Sequence, residues 1–268
     1  VNETELDYGL RVANELEEEI IRLGPQNVMA FIAETVVGAT AGALTPVPGY
    51  FKRIREICDQ YNILLILDEV MCGMGRTGSL FACEEENIIP DIVTIAKGLG
   101  AGYQPIGAML CQDFIYDTIA NGSGFFQHGH TYLGHPIACA ASLAVLTKLI
   151  NENMCKKVKD KGEMLQKILE RDLGQNQFVG DIRGRGLFRG VEIVKDRSTK
   201  EPFSRKLNIA NNIKKEALNL GLICYPMQGT VDGIIGDHIL IAPPFIINED
   251  EINEISSKLK TTIENICN

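Results

Sequence analysis

The chain has 268 residues, 45% of them apolar, with 35 acidic against 26 basic side chains and a formal net charge of −9. This is enough chain and apolar content for a substantial core, which argues against disorder, and the acidic balance argues against nucleic acid or an anionic membrane as a partner. No apolar stretch approaches the about 20 residues that span a bilayer, and the start VNETELDYGL has neither the basic nor the apolar region of a signal peptide. The eight cysteines (58, 72, 83, 111, 139, 155, 224, 267) are scattered without a CxxC pair. A reducing, cytoplasmic setting is expected over a disulfide framework.

Taken in chain order, Val12, Leu16, Ile20 and Leu23 mark a first helix, stopped by Gly24 and Pro25. An apolar strand is expected over 28–37. A Gly- and Pro-containing loop (Gly42, Pro46, Pro48, Gly49) leads to a second helix with Phe51, Ile54, Cys58 and Tyr61 on one face. The strand ILLIL (63–67) ends at Asp68 and Glu69. A Gly-rich turn, a short helix near 79–86 and the strand DIVTIA (91–96) follow, and that strand ends at Lys97. Another strand is expected at 106–111. Alternating apolar strands and helices predict an α/β fold with a mostly parallel sheet covered on both faces. After residue 136 the texture changes. PIACAASLAVLTKLI and a charged helix over 154–171 connect to a smaller α+β domain, with strands at 187–194, 222–225 and 238–241 and a helix near 205–220. The last helix carries Ile252, Ile255, Leu259, Ile263 and Ile266 on one stripe. The expected domains are 1–150 and 151–268.

Asp68 and Lys97 each close an apolar strand, and ionisable groups are rarely placed there without a partner or a task. In open α/β sheets ligands bind beyond the carboxyl ends of the strands. A carboxylate and an amine aimed at that crevice are the pair a pyridoxal 5′-phosphate (PLP) enzyme uses. The lysine forms the Schiff base and the aspartate holds the pyridine nitrogen protonated.

The stretch LLILDEVMCGMGRTGSLFACEEENIIPDIVTIAKGLGAGYQPIGAML resembles the class III (omega-type) aminotransferases of PLP fold type I. The likeness rests on the Asp-Glu-Val, the Gly-x-Gly-Arg-Thr-Gly turn, the Pro-Asp strand and the lysine. HGHTYLGHPIACAASLAVL (128–146) and AETVVGATAGALTPVPGYFKRIREICDQY (33–61) look like two further blocks of that family. The resemblance implies Lys97 as the Schiff-base lysine and proton carrier, and Asp68 as the partner of the pyridinium nitrogen. It implies that Val70 packs on the ring and that Thr131 binds the cofactor phosphate of a neighbouring subunit, so that active sites are shared in a homodimer. Glu34 is expected near the substrate. Residues 1–150 would be the C-terminal half of the large PLP domain, and 151–268 the small domain.

Three departures from the family pattern bear on specificity. Met71 stands where many members have a glutamine contacting the cofactor's phenolic oxygen, and a thioether is a weak acceptor. Leu240, in DHILIAPPF, takes the place of the arginine that recognises a second carboxylate, which disfavours glutamate as acceptor and favours pyruvate. The family's chains also extend further at the N-terminus, with a Gly-Ser loop for the phosphate and an aromatic residue on the ring. The chain is therefore expected to be a fragment or to work with another polypeptide.

Other motifs have weaker claims. Gly73, Gly75 and Gly78 spell GxGxxG after a strand, but five residues separate the strand end from the first glycine and no long helix follows. His128, His130 and His135 would place two imidazoles on one strand face, without the further ligands that complete a metal site. Arg183, Arg185 and Arg189 sit in an expected strand of an acidic protein and resemble an RGG tract only superficially. The reading is ping-pong transamination between an amine or omega-amino acid and a keto acid, pyruvate favoured. The alternatives are another PLP reaction of racemase or mutase type, or a subunit inactive by itself.

Overall fold

A computed structural model describes residues 3–268; residues 1 and 2, with which the expected first domain and leader-free start begin, lie outside the described residues. The chain folds as two compact units. One takes the residues up to Thr35, Pro46–Met74 and Phe81–Glu152. The other takes Val36–Thr45, Gly75–Leu80 and Asn153–Asn268.

In the first unit, helix α1 (Glu5–Leu23) is capped by Thr4, whose side chain accepts from the Asp7 amide, and stops at Gly24 in a positive-φ conformation. Its core face differs from the expected stripe. Gly9, Ala13 and Ile20 are buried, whereas Leu23 is exposed. Gly9 explains this, because a Cβ there would lie 2.6 Å from the Pro48 carbonyl oxygen. The seam against α2 (Tyr50–Tyr61) thus runs through small residues that permit close approach. From α2, Phe51, Ile54, Ile57 and Cys58 complete that core.

Strands β1 (Ala30–Glu34), β2 (Leu64–Asp68), β3 (Ile92–Ile95) and β4 (Ala108–Cys111) form one sheet in that order. β1, β2 and β3 run parallel, and β4 joins antiparallel. Leu65 and Leu67 of β2 turn into the core, as the two-residue period requires. β1 is shorter than the expected 28–37 strand because Val36 onward belongs to the second unit. The short helix expected near 79–86 is a 3-10 turn over Ala82–Glu86. Helices α3 (Asp113–Asn121) and α4 (Pro136–Asn151) follow. α3 has no fully buried residue, and Ile115 and Ile119, one turn apart, are half-buried on one face.

The second unit contains α5 (Met154–Leu173), β5 (Val179–Arg185), β6 (Phe188–Ile193), α6 (Ile209–Asn219), β7 (Tyr225–Gln228), β8 (Asp237–Ile241) and α7 (Glu249–Cys267). Its sheet is antiparallel in the order β5-β6-β8-β7. Leu165, Leu169, Ile213, Ile252, Leu259 and Ile263 fill the core between helices and sheet. The strand expected at 222–225 starts at Tyr225, because Leu222 is still occupied in closing α6 through the Ala217 carbonyl. Asn248 and Glu251 form a reciprocal capping box that starts α7.

Candidate active site

The site is built at the carboxyl edge of the parallel strands. Glu34, the last residue of β1, stands opposite Asp68, the last of β2, and Asp68 stands opposite Thr94 of β3. One residue after β3, Ala96 leads into a 3-10 turn headed by Lys97. Parallel pairing thus brings both carboxylates and the lysine to one edge, where open α/β sheets place ligands. Lys97 is exposed, while Asp68 and Glu34 are half-buried.

Lys97 has φ of 37°, in the left-handed region that a long side chain rarely adopts. Such a conformation costs about 1–3 kcal/mol and persists only where neighbours over-determine it. Here the Leu99 amide donates to the Ala96 carbonyl at 2.8 Å and the Gly100 amide to that of Lys97 at 3.2 Å. Gly98 permits the turn to sit against Met74, since an added Cβ would lie 2.9 Å from Met74 Cβ.

Asp68 is oriented from its own turn. The Val70 amide donates to Asp68 Oδ1 at 2.9 Å, leaving Oδ2 outside that bond. Val70 and Met71 are half-buried in the turn that follows. Glu69 has no role of its own among the sequence expectations. It is fully buried and accepts from Thr35 Oγ1 at 2.9 Å, the Cys83 amide at 2.8 Å and the Ala82 amide at 2.6 Å. A signal does exist, since two successive acids at a strand end face opposite ways and one of them must enter the core.

Thr131 is carried by a different segment, an exposed turn between α3 and α4. The expectation that His128 and His130 share a strand face is corrected: the segment forms no strand, and the two rings meet edge to face at 5.1 Å. Among the described residues no group of three or more His, Cys, Asp or Glu side chains could hold a metal ion. Residues 70–77 after β2 form turns, and only the five-residue 3-10 segment follows Gly78, so GxGxxG opens no α-helix for a pyrophosphate.

In the second unit, Leu240 is buried within β8. Arg76 donates to the carbonyls of Leu187 at 3.1 Å and Pro243 at 2.7 Å, and its guanidinium lies 4.5 Å from the centre of the Phe245 ring. Burial lowers the pKa of Arg76 to about 10, so it remains charged at neutral pH. Arg189, also lowered to about 10 by burial, is spent on the carbonyls of Gly162, Gly184 and Gly186. Arg183 holds the carbonyls of Ala41 and Gly42 at 2.7 and 3.0 Å. Buried His238 shares a 2.7 Å hydrogen bond with Thr230, and burial depresses its pKa to about 4.

The sequence model for "Aminotransferase class-III" matches residues 2–263. The chain belongs to the class III aminotransferase family. It is 45% identical to an aminotransferase of Gibberella zeae, covering 97% of this chain and 51% of the relative. An uncharacterized aminotransferase of Schizosaccharomyces pombe is 47% identical, with 97% and 57% covered. The structure is similar to that of a thermostable (S)-enantioselective omega-transaminase from Thermomicrobium roseum, with a TM-score of 0.92 and 36% identity over 100% of this chain and 57% of that one. The chain spans about half the length of the curated relatives it matches.

The class III cofactor is pyridoxal 5′-phosphate, and the residues present suit it. An exposed amine and a half-buried carboxylate stand one strand apart on a single sheet edge, and these are the kinds of group that could hold such a ring.

Proposed function

We propose that the protein catalyses ping-pong transamination between an amine or omega-amino acid and a keto acid, with pyruvate as the favoured acceptor. The observation that carries this reading is the register of Asp68 beside Thr94, three residues before Lys97. Bound pyridoxal phosphate would supply the electron sink for the carbanion formed at the substrate carbon. Lys97 would hold the cofactor covalently, yield to the incoming amine, and carry the proton away from the substrate carbon. Asp68 would keep the ring nitrogen protonated, with its carboxylate held by the Val70 amide. Val70 would pack against the ring, Glu34 would lie near the substrate, and Thr131 would reach the cofactor phosphate of a second subunit in a homodimer.

Buried, apolar Leu240 supports pyruvate, because it offers no cation to a second carboxylate. One relative, from Solanum lycopersicum, is a gamma aminobutyrate transaminase at 38% identity. The eight cysteines, with no disulfide among the described residues, support a reducing, cytoplasmic setting.

The test is the near-visible absorbance of the protein with pyridoxal phosphate, before and after borohydride, with Lys97→Ala as control. A band trapped on Lys97, followed by amine loss that depends on added keto acid, is the expected result. A trapped band with amine racemised or shifted within one molecule would replace transamination by another reaction. No adduct on Lys97 would refute the site.

A further inference from the structure

Glu69 lies directly after Asp68 and is the only charged side chain at this strand end that is wholly enclosed among the described residues. Its side chain joins three stretches of the first unit. Oε1 accepts from the hydroxyl of Thr35, the residue after Glu34, and from the Cys83 amide. Oε2 accepts from the Ala82 amide. Its backbone is also engaged, with the amide donating to the Thr94 carbonyl at 2.9 Å and the carbonyl accepting from the Gly73 amide at 2.9 Å. Thr35 is itself buried. The row of Glu34, Asp68 and Thr94 is therefore followed, one step on, by a row locked through Glu69.

We propose that Glu69 is the positioning residue of this site: by tying Thr35, Thr94 and the 82–83 turn together, it fixes the backbone from which Asp68 and Glu34 project. The chemistry of the group suits the task. Both oxygens accept from N–H or O–H donors, so an ionised carboxylate satisfies every one of them and needs no proton of its own. An amide cannot do the same. Glu69→Gln would set an NH₂ against either the Ala82 or the Cys83 N–H, leaving donor facing donor in a buried place. Gly73 completes the fit, since a Cβ at that position would lie 2.7 Å from the Glu69 carbonyl oxygen and 3.0 Å from its Cβ.

The assignment of Asp68 to the cofactor rests on the proposed function, whereas the positioning of Asp68 by Glu69 does not, and the experiment separates the two. Glu69→Gln, Thr35→Val and the conservative Thr35→Ser are compared with the unaltered protein by thermal unfolding, amide exchange and pyridoxal phosphate titration. The Val70 amide, bonded to Asp68 Oδ1, reports whether Asp68 is held. Exchange across residues 68–74 should speed up about tenfold in Glu69→Gln and Thr35→Val, as expected for loss of one hydrogen bond to a charged group, and return toward normal in Thr35→Ser. The pyridoxal phosphate dissociation constant should rise in the same order, and the pH midpoint of the bound absorbance band should move. A merely structural Glu69 would lower the melting temperature and leave exchange at 68–74 unchanged relative to the rest of the sheet. That result would overturn the inference. Failure of the unaltered protein to form a Lys97 adduct would refute the proposed function, and the exchange result would still decide the role of Glu69.

Discussion

Gly98 brings the turn that bears Lys97 against Met74, in the turn that follows Asp68, at a separation no side chain could occupy. The two loops that carry the proposed chemistry are therefore spaced by the absence of a single methyl group. Gly98→Ala must displace one of them, because the atom it meets is Met74 Cβ and not the flexible end of a side chain. Overpacking of this kind costs about 1–3 kcal/mol. The expected outcome is a protein that still folds, melts several degrees lower, and yields far less borohydride-trapped adduct on Lys97 by mass spectrometry. Wild-type trapping would show that the loop spacing is unimportant.

Asp68→Asn should separate holding from chemistry. Asparagine can still accept from the Val70 amide, so the turn is preserved. The charge proposed to keep the ring nitrogen protonated is lost. Cofactor binding should weaken modestly, and turnover of any accepted amine should fall by about a hundredfold or more, the scale on which removal of a transition-state electrostatic partner acts. Comparable kcat in the two proteins would remove Asp68 from the mechanism.

Arg76→Ala should destabilise the second unit by about 2–4 kcal/mol, since it strands the buried carbonyls of Leu187 and Pro243 and uncovers Phe245. Arg76→Lys should recover only part of this, because the single nitrogen Nη1 that serves both carbonyls can be replaced by an ammonium, whereas the planar face over the Phe245 ring cannot. Denaturant midpoints of the three proteins check the ranking. Equal midpoints for the lysine variant and wild type would refute a contribution from the guanidinium on the Phe245 ring.

His238 gives a pH dependence whose sign is fixed. Its folded pKa of about 4 lies below the ordinary value of 6.5, so the unfolded chain binds its proton more readily. Its neutral form is present in both states above about pH 6.5, where this group imposes no penalty. Stability is lost as pH falls from there toward 4, by at most about 1.4 kcal/mol per pH unit from this one group. His238→Phe keeps a ring beneath Gly42, where a Cβ would lie 2.7 Å from the imidazole. Unfolding free energies at pH 7, 5.5 and 4.5 should show a shallower decline in the variant, and parallel curves would refute the assignment.

The elements most legible in the sequence are those whose burial follows a simple period. α7 shows its stripe directly, and β2 and β3, with their ends at Asp68 and Lys97, follow from apolar runs that stop at a charge. What stays hidden depends on partners distant in the chain. The α1 seam at Gly9 is set by Pro48, and β1 ends early because Val36 packs elsewhere. Glu69 is polar by composition and buried by context, and only Thr35 and the 82–83 amides explain it. The His128 and His130 segment alternates like a strand but contains no strand pairing.

The second unit takes two short pieces, Val36–Thr45 and Gly75–Leu80, from inside the run of the first. Those pieces carry Arg76 and the Ala41 and Gly42 carbonyls that Arg183 grips. The C-terminal part is consequently not a cassette. Cutting the chain after Glu152 would part the C-terminal piece from the guanidinium that caps Leu187 and Pro243 and leave Arg183 without its two carbonyls. A recombinant that keeps this unit's own packing intact carries all three of its stretches from one parent.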